Sequence, residues 1–474
     1  MGCHSIFKYV LRGVSFLGID LGTGGVRCLL VNEEGSVLSE ISKPLNRVNL
    51  SAHSGESMQD PRDWIVLLES ALDELFSVPS CRHLLSVSVD STSGTVLPVD
   101  RTGENIGPAL MHNDMRSIHE VEWCNEFFED GCSPTFSLPK ILWMQKNWSL
   151  SEEVLYHHAT DFLNARLCGS IDLPTDFTNA MKSGVNLETQ TWPDKLSRFQ
   201  LPAVVAPGQV IGEISHSYRS RWSLTGPCLM VSGATDSNAA FYASGAGEIG
   251  DWSSTIGTTL AVKGISSQKI SDTLGRIYCH RHPDGAWMPG GASNAGGEIL
   301  KSTYGVELTS IENEASNARC EPLLVYPSIR KGERLPLADP KFMPFGQKSE
   351  EHKIAYFLGC IEGIAFVEKM TYDLLKSLGA EVGNRVYATG GATNSQLGLQ
   401  VRADVLGRTL CIPKHPNSAM GAAILASAGY FERGVGEMSA ELVKISKTVE
   451  PRGKLNEARN QRMEKFRQFC SETD

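Results

Sequence analysis

Two aspartates follow strand-like runs at points where the chain turns or becomes helical. Asp20 ends the run "FLGID" and precedes the glycine-rich turn "LGTGG". Asp236 lies in "VSGATDSNAAFY", between a strand-like run and a helix of small residues. A carboxylate at such a junction is able to accept a proton from a hydroxyl group or to bind a cation. It also caps helices, which contributes about 1 kcal/mol and needs no function, so the residue types leave these alternatives open.

The turn after Asp20 has the composition of a phosphate loop without the sequence of a Walker loop. The pattern G-x-x-x-x-G-K-[ST] does not occur in the chain. Gly22, Gly24 and Gly25 let backbone N–H groups approach an anion closely, and Thr23 adds a hydroxyl donor. Because Asp20 would repel a bare phosphate, the arrangement suits a divalent cation such as Mg²⁺ between the two. A tight hairpin that Asp20 merely caps explains the loop alone equally well.

A second loop of the same character occurs in the other half of the chain. The segment "SSTIGTTLAVKG" repeats the apolar-Gly-Thr turn between two extended runs, more than two hundred residues after the first. We expect Gly257 and Thr258 to bind phosphate oxygens there, as partners of Gly22, Thr23 and Arg27 in the first hairpin. Taken alone the second loop is an ordinary turn, but the repetition favours a duplicated half-molecule.

Several polar segments have the composition of a binding site for a polyhydroxylated ligand. "DSTSGT" contains Ser93 in a cluster of hydroxyl groups, which is also common turn chemistry. "MHNDMRS" brings Asn113, Asp114 and Arg116 together, and its alternative is a surface ion pair of little energetic value.

A third glycine turn lies in "ATGGATNSQLGLQ". Gly390 and Gly391 leave room for a flat base against the backbone, and Asn394 either contacts a nucleotide or caps the helix that follows. The capping role is slightly favoured. His280 and His282 share one face of a strand, where an exposed strand is a better interpretation than a metal site because further ligands are missing.

The elements that must position these residues alternate between strands and helices, which predicts an α/β protein. The 474 residues exceed one compact core and indicate two domains. We expect an N-terminal extension at 1–15, a first domain at 16–246, a second domain at 247–435 and a charged, solvated helical tail at 436–474.

Composition argues against several classes of partner. The net charge of −10 disfavours nucleic acid and anionic membranes, and no apolar run is long enough to span a bilayer. The 12 cysteines include no C-x-x-C pair, so they indicate thiols in a reducing compartment. We therefore expect a cytoplasmic monomer or homodimer, or a plastid protein if a targeting segment has been lost or shortened.

Six segments, taken in this order, resemble the motifs of the FGGY carbohydrate kinases: "GIDLGTGGVR", "GATDSNAA", "TIGTT", "KGERLPLADP", "TGGATNSQLGLQVRADVLG" and "AMGAAILASAG". The resemblance runs from about Phe16 to Tyr430. It implies two actin-like (ribonuclease-H-like) domains with ATP and a sugar in the cleft between them. Within the family, "DSTSGT", "GGASNAGG" and "GERLPLADP" are similar to the D-ribulose kinases of the xylulose-kinase-like branch.

The resemblance also implies roles for individual residues. Asp20 would help to hold Mg²⁺ and Asp236 would be the catalytic base, while the remaining members fall into three groups. These are the phosphate side (Thr23 and Thr258), the adenosine side (Gly390, Gly391 and Asn394) and the sugar side (Gly24, Ser93, Asn113, Asp114 and Arg116). Two positions depart from the pattern, because relatives usually carry Ser where this chain has Gly24, and Gly where it has Ser91.

The implied activity is ATP-dependent phosphorylation of the terminal hydroxyl of a ketopentose, with D-ribulose as the first choice. D-Xylulose or another polyol is the alternative acceptor. An actin-like ATP-binding switch or sugar sensor without catalysis is the alternative of another class, although such a protein needs no carboxylate at Asp236.

Overall fold

The computed structural model describes residues 13–46, 49, 51, 53–129, 131–151, 153–348, 350–453 and 457–471. Strands and helices alternate over this range, as the sequence predicts.

Up to residue 242 the chain contains twelve of the assigned strands and the first seven α-helices. The strands are β1 (Ser15–Gly22), β2 (Gly25–Asn32), β3 (Val37–Pro44), β4 (Met58–Gln59), β5 (Leu84–Ser91), β6 (Val96–Val99), β7 (Ala109–Leu110), β8 (Leu155–His158), β9 (Thr175–Asp176), β10 (Val204–Val205), β11 (Val210–Glu213) and β12 (Leu229–Thr235). The helices are α1 (Pro61–Phe76), α2 (Val121–Cys124), α3 (Ser137–Asn147), α4 (Ala159–Cys168), α5 (Phe177–Ala180), α6 (His216–Arg221) and α7 (Asp236–Tyr242).

The remaining elements begin at residue 252. The strands are β13 (Trp252–Ile256), β14 (Leu260–Gly264), β15 (Tyr278–Arg281), β16 (Trp287–Ser293), β17 (Arg385–Thr389), β18 (Thr409–Pro413) and β19 (Ile445–Val449). The helices are α8 (Glu298–Tyr304), α9 (Leu308–Asn317), α10 (Lys353–Ser377), α11 (Gln396–Leu406), α12 (Ser418–Phe431), α13 (Val435–Leu442) and α14 (Glu457–Ser471).

Two large sheets have the same central arrangement. The first has the order β11-β12-β5-β1-β2-β3, and the second the order β15-β16-β14-β13-β17-β18-β19. In the first, β1 pairs antiparallel with β2 and parallel with β5, and β5 pairs parallel with β12. In the second, β13 pairs antiparallel with β14 and parallel with β17, and β17 pairs parallel with β18. The duplication indicated by the repeated Gly-Thr turn is therefore present in the topology.

The chain forms two compact units. One contains residues up to Ala243 together with His415–Lys444, and the other contains Ser244–Lys414 and the chain from Ile445 onward. The boundary at Ala243 lies close to the predicted one at residue 246. However, the predicted second domain, 247–435, includes a segment from residue 415 that belongs to the first unit.

Close backbone contacts explain why this segment joins the first unit. A Cβ atom on Gly18 in β1 would lie 1.8 Å from the Ala419 carbonyl oxygen of α12, and one on Gly421 would lie 1.8 Å from the Ala239 carbonyl oxygen of α7. Ser86 in β5 donates a hydrogen bond to the Ala426 carbonyl of α12 at 2.7 Å. The run of small residues in α12 lets the helix approach the sheet and α7 this closely.

The tail differs from the solvated helix that its charges suggest. Part of it is the edge strand β19, which pairs with β18. In α14, Met463, Phe466 and Cys470 are buried in the core of the second unit, and the Phe466 ring stacks on Tyr326 with 5.6 Å between centroids. The prediction of a helix at "EARNQRMEKFRQF" is correct, but its description as solvated is wrong because one face of the helix packs on the core.

Helix α1 illustrates how local sequence sets an element. Asp60 caps its N-terminus and Pro61 occupies the first turn, where a missing N–H costs nothing. Trp64, Leu68 and Leu72 recur at helical spacing and are buried. Among the described residues, no helix is both long enough and apolar enough to cross a membrane.

Candidate functional site

The first glycine turn is a two-residue hairpin. Gly22 pairs with Gly25 in the β1–β2 register, so Thr23 and Gly24 form the turn itself. The same register sets Asp20 directly opposite Arg27. Asp20 and Arg27 therefore share one face of the sheet, each three residues from the nearer residue of the turn.

The backbone carbonyl groups of this turn are occupied by protein donors. The Gln59 side chain donates to the Thr23 carbonyl at 2.9 Å, and the Leu45 N–H donates to the Gly24 carbonyl at 2.7 Å. Gln59 is itself buried and accepts a bond from the Trp64 indole at 2.8 Å. Carbonyl oxygens would repel a phosphate, so fixing both of them in protein bonds suits the turn to an anion.

The second glycine turn is built in the same manner in the other unit. Ile256 pairs with Leu260, which leaves Gly257 and Thr258 in a three-residue turn. The Gly297 and Glu298 N–H groups donate to the Gly257 and Thr258 carbonyls at 2.9 and 3.2 Å. Both hairpins thus bind their turn carbonyls to neighbouring segments of the same unit.

Glycines 296 and 297 were not predicted as site residues, yet the second turn depends on them. A Cβ on Gly296 would lie 2.5 Å from the Thr258 carbonyl oxygen, and one on Gly297 would lie 2.7 Å from the Gly257 carbonyl oxygen. The sequence signal was the paired glycines of "GGASNAGG". Their contact with the second turn depends on the pairing of β16 with β14, which the sequence does not report.

The third glycine turn lies beside the second. A Cβ on Gly390, whose φ is +83°, would lie 2.5 Å from the Ile256 carbonyl oxygen. The hydroxyl groups of Thr255 and Thr389 are hydrogen-bonded at 2.7 Å at the ends of the parallel strands β13 and β17. The predicted phosphate and adenosine segments of the second unit are therefore neighbours at one edge of its sheet.

The residues beyond Gly390 remain open to a ligand. Within the described part of the chain, no heavy atom lies within 4 Å of a Cβ placed on Gly391, and Asn394 is exposed. The helix α11 is capped by Ser395, which accepts a bond from the Gly398 N–H at 2.8 Å. The capping role that we favoured for Asn394 is therefore wrong, and its contact with a nucleotide stays a prediction.

Three aspartates lie at the carboxyl ends of adjacent parallel strands in the first unit. In the β1–β5 register Asp20 is opposite Asp90, and in the β12–β5 register Ala234 is opposite Asp90, two residues before Asp236. Asp90 is fully buried, and this burial, followed by the charges of Asp20 and Asp236, raises its pKa well above the ordinary value.

This carboxyl cluster fits a divalent cation. Carboxylate oxygens are the ligands that Mg²⁺ prefers, and a cation would offset the repulsion that Asp20, Asp90 and Asp236 exert on one another. Among the described residues no group of three or more acidic, histidine or cysteine side chains forms a ready cage. Sequence reasoning missed Asp90, although "SVSVD" ends in aspartate as "FLGID" does.

Asp236 opens α7 without being its cap. The cap is Thr235, and one Asp236 carboxylate oxygen accepts a bond from the Ser237 N–H at 2.6 Å. Thr235 therefore holds the cap position, while the Asp236 carboxylate accepts one N–H of the first turn, and such a bond can coexist with a role as base. The side chain is half-buried, as a base that meets a substrate requires.

Lys140 fixes the loop that carries Ser93 through hydrogen bonds to backbone carbonyl groups. The buried Lys140 ammonium donates to the carbonyl groups of Gly94, Met111 and Thr135 at 2.9, 2.6 and 2.9 Å. Three loops are therefore joined at one cation. Ser93 itself is half-buried in this loop, and its contact with a sugar stays a prediction.

The Asn113–Arg116 segment combines an exposed residue with a buried ion pair. Asp114 is fully buried and accepts bonds from the Ser57 N–H at 2.7 Å and from the Arg116 guanidinium at 2.8–3.0 Å. This pair is buried rather than at the surface, and it occupies both Asp114 oxygens. Asn113 is exposed, so of the three it is the residue best placed to meet a ligand.

The departure at Ser91 has a structural explanation. Its hydroxyl is buried and is hydrogen-bonded to the Thr160 hydroxyl of α4 at 2.7 Å. The residue is thereby engaged between β5 and α4, and the change from glycine need not alter the contacts of a sugar.

Family models account for most of the chain. The N-terminal domain of the FGGY family of carbohydrate kinases matches residues 15–242, and the C-terminal domain of that family matches residues 253–430. The chain belongs to the FGGY family of carbohydrate kinases. It is therefore a sugar kinase, and the resemblance stated from the motifs is confirmed.

Individual relatives and solved structures agree with this membership. The chain is 25% identical over 467 residues to a xylulose kinase of Staphylococcus epidermidis, with 92% of each chain covered. A solved xylulose kinase from Rhodospirillum rubrum has a TM-score of 0.82 at 20% identity and covers 96% of this chain and 98% of its own. Plasmodium falciparum glycerol kinase, solved with ADP, has a TM-score of 0.81 at 17% identity, with 97% and 98% covered. These two structures confirm the two-domain α/β fold.

As an FGGY kinase the protein uses ATP as phosphate donor and a small sugar as acceptor. The non-enzymatic switch or sensor is thereby set aside. The identity of the acceptor, the cation and the role of each residue are matters for proposal.

Proposed function

We propose that this FGGY kinase transfers the γ-phosphoryl group of ATP to the terminal hydroxyl of a ketopentose. The observation that carries the proposal is the half-buried Asp236 at the start of α7, in the same unit as the Ser93 loop and the Asp20 hairpin. Asp236 would accept the proton of the acceptor hydroxyl as that oxygen bonds to phosphorus and ADP departs. Such a transfer depends mainly on orienting the hydroxyl, so a carboxylate at a helix N-terminus is a sufficient base.

Two sets of glycine turns would bind the nucleotide. Gly257, Thr258 and the Gly390–Asn394 segment adjoin at one sheet edge of the second unit. Thr23, Gly22 and Arg27 would meet the phosphates from the first unit. The bonds that occupy the turn carbonyls of both hairpins support this assignment, since they leave N–H and hydroxyl donors for the anion.

Magnesium is the cation that we propose for this carboxyl cluster. Asp20 would hold it, with Asp90 as the neighbouring carboxyl, and the ion would neutralise charge on the transferred phosphoryl group. Asp20 and Asp90 are opposite each other in the β1–β5 register, which supports this placement, while Asp236 would remain available as the base.

D-Xylulose is the first acceptor to test and D-ribulose the second. Relatives that cover nearly the whole chain are named xylulose kinases, whereas the "DSTSGT" motif favours D-ribulose. The two sugars differ in the configuration at one carbon, so a few hydrogen bonds decide between them.

A screen of acceptors with Mg·ATP tests the proposal. Purified protein is mixed with D-xylulose, D-ribulose, hexuloses, glycerol or D-gluconate, and ADP release is measured with and without each acceptor. We expect a ketopentose to give the highest kcat/KM. Stimulation by glycerol or a hexulose alone would overturn the assignment of the acceptor.

A further inference from the structure

A second lysine lies beside the Ser93 loop, in the short 3₁₀ helix Met181–Ser183 that follows α5. Ser183 at the end of that helix is buried and hydrogen-bonded to His158 at 3.0 Å, and His158 is bonded to Asp161 at 2.8 Å. Gly184, with φ of +88°, ends the segment. The hydrogen bonds from Ser183 to His158 and from His158 to Asp161 therefore fix the backbone next to Lys182.

The bonds of Lys182 differ from those of Lys140 on the same loop. Lys140 uses all three ammonium donors on backbone carbonyls. Lys182 makes one hydrogen bond in the described structure, to the Ser93 carbonyl at 3.2 Å. Lys140 is thus a structural cation, while Lys182 keeps two of its three donors for another partner.

The surroundings of Lys182 have the chemistry of a sugar pocket. Its ammonium lies 5.6 Å from the centroid of the half-buried Phe136 ring and interacts electrostatically with Asp236. His112 is close enough for the Lys182 charge to lower its pKa, after burial and Lys140. The buried Nδ1 atom of His112 has no hydrogen-bond partner among the described residues. An apolar ring face with a few polar groups around it is the usual composition of a small-molecule site.

We propose that Lys182 is a specificity-determining residue that donates hydrogen bonds to an oxygen of the neutral sugar acceptor, between Ser93 and Asp236. The inference rests on the proposed function and extends it. The bond would fix the rotation of the sugar so that its terminal hydroxyl meets the Asp236 carboxylate. The acceptor is a neutral ketose rather than a sugar acid, because Asp236 already supplies the negative charge next to this lysine.

The test compares Lys182→Met with Lys195→Met, a control in the same unit whose lysine is largely exposed and pairs with Glu126. Two quantities are measured: the KM values for ketopentose and ATP, and the Kd of the ketopentose by calorimetry without nucleotide. We expect Lys182→Met to raise both the sugar KM and the sugar Kd at least tenfold, since bonds from charged donors are strong. The KM for ATP stays within about twofold of the original value, and Lys182→Arg recovers part of the sugar affinity.

Sugar KM and Kd values within twofold of the original in Lys182→Met would overturn the inference. If that variant does not fold, Lys182→Gln is judged by the same two values. Preference of the unaltered protein for D-gluconate over every neutral ketose would overturn it as well. Absence of any ketopentose-dependent turnover in the unaltered protein and in Lys195→Met would instead defeat the proposed function.

The bound oxygen is identified with single-deoxy analogues of the ketopentose. The analogue that lacks this oxygen should bind the unaltered protein and Lys182→Met with equal affinity, while the others retain the tenfold difference. If every deoxy analogue retains that difference, Lys182 does not bind a sugar hydroxyl. Its partner would then be the carbonyl oxygen of the ketose, and the corresponding polyol, which lacks that carbonyl, tests this bond. If the polyol also binds the unaltered protein tenfold more tightly than Lys182→Met, direct contact between Lys182 and the sugar would be overturned.

Discussion

At the residue scale, the Thr23–Gly24 turn shows how a departure from the family pattern is tolerated. Gly24 is exposed, and a Cβ placed on it meets no heavy atom of the described residues within 4 Å. Its carbonyl is bonded to the Leu45 N–H, a contact that a side chain does not disturb. Folding therefore does not require glycine at position 24. The effect of having glycine there instead of serine is the loss of the ligand contact that a serine would add.

The substitution Gly24→Ser is expected to leave stability within about 0.5 kcal/mol of the original. It should lower the KM for the ketopentose roughly two- to tenfold, because one added neutral hydrogen bond contributes about 0.5–1.5 kcal/mol. Thermal unfolding and initial rates at saturating ATP measure the two effects.

The neighbouring glycine supplies the matched control. A Cβ on Gly25 would lie 2.2 Å from the Lys43 carbonyl oxygen, so Gly25→Ser should destabilise the protein. Equal loss of stability in the two variants, or no change in sugar KM for Gly24→Ser, would contradict this account of the turn.

At the element scale, helix α12 determines which unit its segment joins. Its small residues allow backbone contact with β1 and α7, and no side-chain periodicity in the sequence reports such contacts. We placed the domain boundary near residue 246 because the repeated Gly-Thr turn indicates a duplicated half-molecule. The return of residues 415–444 to the first unit was not predictable, since it depends on packing between distant segments.

The same distinction applies to the site. The two hairpins and Asp236 could be predicted because each lies within one local strand–turn motif. Asp90 could not, since its proximity to Asp20 and Asp236 requires the order of β1, β5 and β12. Lys182 was missed for a related reason, because its nearness to Ser93 joins two segments far apart in sequence.

Replacing Gly421 by alanine should destabilise the first unit by about 3 kcal/mol, because the added methyl would lie 1.8 Å from the Ala239 carbonyl oxygen. The expected fall in the midpoint of thermal unfolding is roughly 6–10 °C. Gly226→Ala, at a site with no heavy atom within 4 Å of the new methyl, is the control and should unfold as the original protein does. A Gly421→Ala midpoint within about 2 °C of the original would refute the close α12–α7 contact.

At the scale of the whole molecule, two units with the same central sheet carry different parts of the chemistry. The first contains the carboxyl cluster and the Ser93 loop, and the second contains the Gly257–Thr258 and Gly390–Asn394 turns. In each unit the carbonyl groups of the hairpin turn accept hydrogen bonds from donors of the same unit. Asp236, the carboxylate that would act as base, belongs to the first unit, and the two turns of the second unit contain no carboxylate.

The measurement that tests this account most directly is ketopentose-dependent ADP release by Asp236→Asn. We predict that kcat falls about a hundredfold or more, as expected for loss of a general base. The affinity for Mg·ATP, measured by calorimetry, should change less than about threefold. Asp194→Asn, which alters an exposed aspartate of the same unit, should keep full activity. Turnover by Asp236→Asn at the original rate would contradict the assignment of the base and with it the central claim.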